Sequence, residues 1–159
     1  MCFNVIIMHR KEIAVKISTK GRYALRLLID LSIHRNEGYI ALKDIAQRQS
    51  ISKKYLEQIV PLLTKSGLLR TNRGYQGGYM LSRPPSDYTV GEILRLTEGS
   101  LAPIACLESE PNYCERSPSC ITLPVWKGLY DVINEYLDNI TLQSIIDNDP
   151  GKDASDYCI

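Results

Sequence analysis

Histidine is scarce in this chain of 159 residues: only His9 and His34 occur. There is no C-x-x-C pair, and no apolar run approaches the ~20 residues needed to cross a bilayer. Each absence removes a class of protein. With neither histidine near a cysteine cluster, nucleophilic catalysis lacks its usual base. Without paired cysteine knuckles, a structural zinc site and a dithiol oxidoreductase are both poor fits. The opening MCFNVIIMHRKEIAV has neither a long apolar core nor a small-residue cleavage site, so it does not read as a secretory signal. A cytoplasmic location without membrane attachment is expected. No internal repeat or low-complexity tract appears, and the length suits one ordinary domain plus an accessory element.

What is present is a division of charge. The net charge is only +1, yet Lys16 to Arg83 holds thirteen Lys/Arg against four Asp/Glu, and Pro84 to Ile159 holds four against thirteen. A first half at +9 attracts polyanions over long range, and a second half at −9 repels them. Phosphate backbone is therefore the expected partner of the first half alone. The plainer alternative is two differently solvated surfaces.

Periodicity gives the elements. Ala24, Leu27, Leu28 and Leu31 recur at i, i+3, i+4 and i+7 and predict an amphipathic helix over about 20–35. Leu42, Ile45 and Ala46 mark a shorter second helix. Ser52 is a good N-cap for a third, which buries Leu56, Ile59, Val60 and Leu63, contains Pro61 and stops at Gly67. Two short strands, 68–72 and 79–82, then flank Arg73-Gly74-Tyr75-Gln76-Gly77-Gly78. Three glycines in six residues predict a hairpin with backbone at positive φ. Thr89 with Glu92 reads as a capping box opening a fourth helix. Pro124 begins a final helix, expected to run over 124–147, with Val125, Leu129, Val132, Ile133, Tyr136, Leu137 and Ile140 at heptad-like spacing. So long a stripe on a small domain points to pairing with a second copy.

Helix, short turn, helix and glycine-tipped hairpin within a basic segment form the layout of a winged helix-turn-helix. The expected fold is thus mainly α, with a small β-hairpin wing and a long C-terminal dimerisation helix. A helix of this kind fits the major groove of double-stranded DNA, and its leading residues reach base edges. Those residues are Ser52, Lys53, Lys54, Tyr55 and Gln58. At the hairpin tip, Arg73 beside Gly74 and Tyr75 has a thin backbone that lets a guanidinium enter a minor groove. Arg70 and Lys65 would sit nearer phosphates. The competing reading is a small module whose basic face is solvated and whose glycines are only steric.

Between these units, Ser100 to Leu123 shows no period and carries Cys106, Cys114 and Cys120 as C-x7-C-x5-C. Such a segment cannot order itself by burial, so something else must tie it down. In a reducing compartment clustered thiols favour soft metal centres over disulfides. Irregular spacing suits an iron–sulfur cluster, 2Fe-2S or 4Fe-4S, with zinc or direct thiol sensing as alternatives. Cys2 and Cys158, at the ends, are given no role.

The segments ISTKGRYAL, DIAQRQSISKKYLEQIV, RGYQGGYML, TVGEILRLTEG and LPVWKGLYDVINEYLDNITLQSII resemble the Rrf-type winged-helix regulator family that contains IscR, NsrR and CymR. The resemblance covers Lys16 to about Asp147. It implies a homodimeric transcription regulator, expected to act as a repressor, with Tyr55, Glu57 and Gln58 facing bases and Arg73 in the minor groove. It also implies cluster binding through Cys106, Cys114 and Cys120. The chain departs from the cluster-binding members at two places: Leu123 stands where some have a histidine ligand, and Arg22 where others have an aspartate. The fourth ligand is thereby left open among Glu108, Glu110, Glu115, a small thiol and water. Cluster assembly is expected to reset the spacing of the two recognition helices. The alternative within the family is a cluster-free regulator of cysteine and sulfur metabolism governed by a protein partner. The expected organisation is a non-native or disordered extension over 1–15, the DNA-binding domain over 16–99, the cysteine loop over 100–123, the dimerisation helix over 124–147 and a disordered tail over 148–159. Position 15, where relatives begin with methionine, is the expected native start.

Overall fold

The computed structural model describes residues 17–74 and 77–149. The leading extension, the residues from Pro150 onward, and Tyr75 and Gln76 at the hairpin tip lie outside these, so expectations about them stay expectations.

The molecule is built on helix α1, Thr19–Ile33. Ser18 caps it by accepting from the Gly21 N–H at 3.2 Å, and its hydroxyl donates to the Glu98 carboxylate at 2.8 Å. Ala24, Leu27, Leu28 and Leu31 are at most 1% exposed. This stripe packs against α2 (Leu42–Gln49), α3 (Lys53–Lys65) and α4 (Val90–Glu98). Each leucine removed from water in this way contributes roughly 1.5–3 kcal/mol.

Helices α2 and α3 are separated by two turn residues before the cap. Ser50 takes the left-handed conformation at φ 52°, and Ile51 drops into the core at 5% exposure. The Ser52 hydroxyl then accepts from the Tyr55 N–H at 3.2 Å. Helix α3 runs through Pro61, which sits on its exposed side. Its end is a Schellman turn: Gly67 adopts φ +78°, its N–H reaches Thr64 O, and the Leu68 N–H reaches Leu63 O, both at 3.0 Å.

Strands β1 (Leu69–Asn72) and β2 (Gly78–Leu81) pair antiparallel, Leu69 opposite Leu81 and Asn72 opposite Gly78. On the other edge of β2, Ile40 forms an isolated bridge, exchanging both backbone hydrogen bonds with Tyr79 at 3.0 and 2.9 Å. The glycines act differently from expectation. Among those described at the tip, Gly74 alone has positive φ, at 118°. Gly78 is needed for close approach, because a Cβ there would overlap the Ile40 backbone.

Two more expectations are corrected. Thr89 caps α4 through the Glu92 N–H at 3.1 Å, but the Glu92 carboxylate turns to Arg83, so only half the box forms. The reciprocal box lies at Thr141 and Ser144, both bonds at 3.0 Å. It opens a separate α6, Leu142–Asp147. The single helix expected over 124–147 is therefore two: α5, Leu123–Asp138, ends at Asn139, and α6 folds back on α1 with Leu142 fully buried.

Candidate nucleic-acid interface and cysteine loop

Burial of Leu56, Ile59, Val60 and Leu63 leaves the opposite side of α3 to solvent. Ser52, Lys53, Lys54, Glu57 and Gln58 are all exposed there. Tyr55 is half-buried and packs edge-on against Tyr23 of α1, ring centroids 5.3 Å apart. Lys53 Nζ lies 3.2 Å from Glu57 Oε1, an i,i+4 pair on the outward face. Lys53 and Glu57 line one side of a groove of about 350 Å³, and Asn72 and Gly74 of the hairpin line the other. Arg70 and Arg73 are exposed on the hairpin, and Tyr75 is not described. Helix α3 and the hairpin thus flank one groove, and both carry exposed cations.

A polar network behind this surface was not foreseen. Asp30, 2% exposed, accepts from Arg48 Nε at 3.0 Å, Arg48 Nη2 at 2.6 Å and Gln49 Nε2 at 3.0 Å. The paired carboxylate raises the Arg48 pKa above its ordinary value, chiefly through the hydrogen bonds. Gln49 in turn accepts from Arg26 through its side chain at 3.1 Å and through its carbonyl, and the Arg26 guanidinium lies 5.6 Å from the Tyr23 ring centre. One buried carboxylate so fixes the last turn of α2, immediately before the turn into α3. The signal was in the sequence: Asp30 falls within the apolar stripe of α1, where a carboxylate requires a partner.

The cysteine loop leaves α4 through buried Leu101 and Ala102 and contains two single 3-10 turns, Ala105–Leu107 and Ser117–Ser119. All three cysteines are free, half-buried thiols. The Cys114 N–H donates to Asn112 Oδ1 at 2.9 Å. Cys120 Sγ lies 3.5 Å from Thr122 Oγ1. This hydroxyl, with the N–H groups of Thr122 and Leu123 and the charge of Arg116, holds the Cys120 thiol below the usual range. Cys106 borders a hollow of about 730 Å³ with Glu108, Glu110, Lys127 and Asp131 at the foot of α5. Among the described residues, no three His, Cys, Asp or Glu side chains are gathered as a metal set. Donor chemistry fits a thiophilic centre, since one loop carries three thiols and one of them is biased toward thiolate. Arg22 is exposed and bonded to Thr19 at 3.1 Å, and Leu123 is buried; a guanidinium and an alkyl chain offer no lone pair to a metal.

The fold is that of a winged helix-turn-helix, and the proteins it matches are transcription regulators. The chain belongs to the Rrf2 family, whose profile, described as an iron-dependent transcriptional regulator, matches residues 17–148. It is 35% identical over 142 residues to the HTH-type transcriptional regulator IscR of Pectobacterium carotovorum, spanning 89% of this chain and 85% of that one. Among solved structures, it is similar to CymR, the global cysteine regulator of B. subtilis, with 40% identity and a TM-score of 0.67 over 82% of this chain and 95% of that one. It is also similar to IscR of T. potens, with 38% identity and a TM-score of 0.66 over 91% and 93%. Among the described residues, no helix is long and apolar enough to cross a membrane.

Proposed function

We propose that this regulator acts in the cytoplasm as a homodimeric repressor that reads operator DNA with α3 and the wing and senses iron–sulfur, redox or nitric oxide status through Cys106, Cys114 and Cys120. The observation that carries the DNA reading is the groove shared by Lys53 and Glu57 of the helix with Asn72 and Gly74 of the hairpin. On this reading Ser52, Lys53, Lys54, Tyr55, Glu57 and Gln58, at the start of α3, serve the major groove of the DNA, and Arg70, Arg73 and Gly74, with Tyr75 by its place in the sequence, serve the adjoining backbone and minor groove. In an anisotropy titration against a duplex selected from a randomised pool, Arg73→Ala is expected to weaken binding roughly tenfold and to lower the salt slope by about one. No binding by the unaltered chain at low ionic strength would overturn the reading.

The cysteine part rests on three free thiols in one loop that leads directly into α5. Cys106, Cys114 and Cys120 would hold a cluster, which when bound would supply iron reactive toward oxidants and nitric oxide. The chain supplies the thiolates, with Thr122 and Leu123 donating toward Cys120. Protein purified without oxygen should carry iron, sulfide and visible absorption, all lost in Cys114→Ala.

A second reading is favoured by the thiols standing apart and by the likeness to CymR: a cluster-free regulator of sulfur metabolism controlled by a protein partner. Colourless anaerobic protein lacking iron and sulfide, with DNA binding intact, selects it.

A further inference from the structure

We propose that Tyr88, outside the DNA-facing surface, is a positioning residue that sets the direction of the wing and so the reach of Arg73. The inference rests on the DNA reading above. Tyr88 is 0% exposed, so its phenol needs partners within the protein. It has three. Oη donates to Leu68 O at 2.7 Å and accepts from the Ser82 N–H at 2.9 Å and the Arg83 N–H at 3.3 Å. One donor and two lone pairs are all the phenol offers, and all are used.

The partners lie where the chain enters and leaves the wing. Leu68 directly follows the Gly67 stop of α3 and precedes β1, and Ser82 and Arg83 directly follow β2. The Ser82 N–H also reaches Leu68 O at 3.2 Å, so the hydroxyl closes the base of the hairpin. A two-stranded ribbon of four residue pairs is weak by itself and needs outside support for its direction. Here that support comes from Ile40 along β2 and from Tyr88 at the base. From Leu69 to Arg73 is roughly 14 Å of extended chain, so a tilt of about ten degrees at the base displaces the tip by ~2 Å. That exceeds the tolerance of a hydrogen bond.

Tyr88 is itself held from the far side. Its carbonyl accepts from the Leu142 N–H at 3.1 Å, and the Val90 N–H donates to Ile140 O at 2.8 Å, so the α5–α6 link is stitched to it. The Arg83 guanidinium lies 4.6 Å from the ring centre and pairs with Glu92. The hydroxyl is therefore a fixed point rather than a rotor.

A double-mutant cycle on the selected duplex tests this, with folding checked by circular dichroism. Tyr88→Phe is expected to bind roughly three- to tenfold more weakly. Because its effect passes through Arg73, Arg73→Ala/Tyr88→Phe is expected to bind no more weakly than Arg73→Ala. A purely structural role gives effects that add, and additivity, or full affinity in Tyr88→Phe, overturns the proposal. If Arg73→Ala has no effect, the minor-groove role of the wing fails and this inference with it; a clear Arg73 effect beside an additive Tyr88 effect sinks the inference alone. Should Tyr88→Phe fail to fold, Glu92→Ala removes the acceptor that holds Arg83 above the ring and enters the same cycle. A roughly twofold loss that disappears in the Arg73→Ala background supports the proposal, and an additive or absent loss overturns it.

Discussion

Asp30 shows how much a single side chain can decide. Its carboxylate is buried on the inward stripe of α1 and accepts three hydrogen bonds from the end of α2. Hydrogen bonds to a charged group contribute roughly 1.5–3 kcal/mol net, more than a neutral pair. Asp30→Ala is therefore expected to cost about 2–3 kcal/mol in urea unfolding, and Gln49→Ala, at the half-exposed edge of the network, less than half of that. Equal losses in the two variants would show that the buried carboxylate is not the centre of the network. The sequence made half of this legible. An acid within an apolar stripe announces a need for a partner, but Arg48 lies eighteen residues away on another helix, and no local spacing names it. Tyr88 was hidden for the opposite reason. A tyrosine ahead of a helix looks like ordinary core filling, and only the fold brings Leu68, Ser82 and Arg83 to its hydroxyl.

Among the elements, those with a strong local period were legible and those set by tertiary contact were not. Helices α1 and α3 fall within two residues of expectation because apolar spacing, cap and glycine stop agree. The wing strands agree within one residue, yet the reason for two of the glycines was misread. Gly77 and Gly78 have no positive φ, and Gly78 is small because the Ile40 backbone passes against it. Gly78→Ala is accordingly expected to break the Ile40–Tyr79 rung and cost about 1–3 kcal/mol in thermal unfolding, with a matching loss of DNA affinity as the wing loses its second support. Gly74→Ala, with nothing near the added methyl, carries only the cost of its φ of 118°. Unchanged stability in Gly78→Ala would mean that the rung bends aside. The break between α5 and α6 escaped notice because the apolar period runs on through Ile140, and the stop comes from backbone pairing of Ile140 and Leu142 with Tyr88 and Val90. The cysteine loop was legible as a loop and as a thiol-rich segment. Its ligand set was not, since distances between thiols are a property of the folded chain.

At the scale of the molecule, the stripe on α5 divides into two faces with different uses. Tyr130, Ile133 and Leu137 turn inward to Val90, Leu94 and Leu101. Val125, Val132 and Tyr136, 62–66% exposed, and Leu129, at 43%, face outward along the same helix. Four apolar side chains at helical spacing on an acidic half of the chain form an uncovered ridge, and large apolar ridges on stable proteins mark contact surfaces. A second α5 is the occupant that the heptad-like spacing fits. Dimerisation would set two α3 helices against half-sites about 34–36 Å apart, and holding both at once multiplies affinity by roughly 10²–10⁴. The acidic half would then stand away from phosphate while the basic half faces it. Val132→Asp separates this use from folding. The residue touches no core cluster, so unfolding stability should change by about 0.5 kcal/mol or less. In a dimer paired through this ridge, however, an aspartate buried on each side would cost more than it could offset. Sedimentation should show the variant as a monomer, with affinity for a palindromic duplex at least ~100-fold weaker and affinity for a single half-site unchanged. A Val132→Asp chain that still sediments as a dimer would assign the ridge to some other partner, and a monomer that keeps full affinity for the palindrome would show that the two half-sites are not read together.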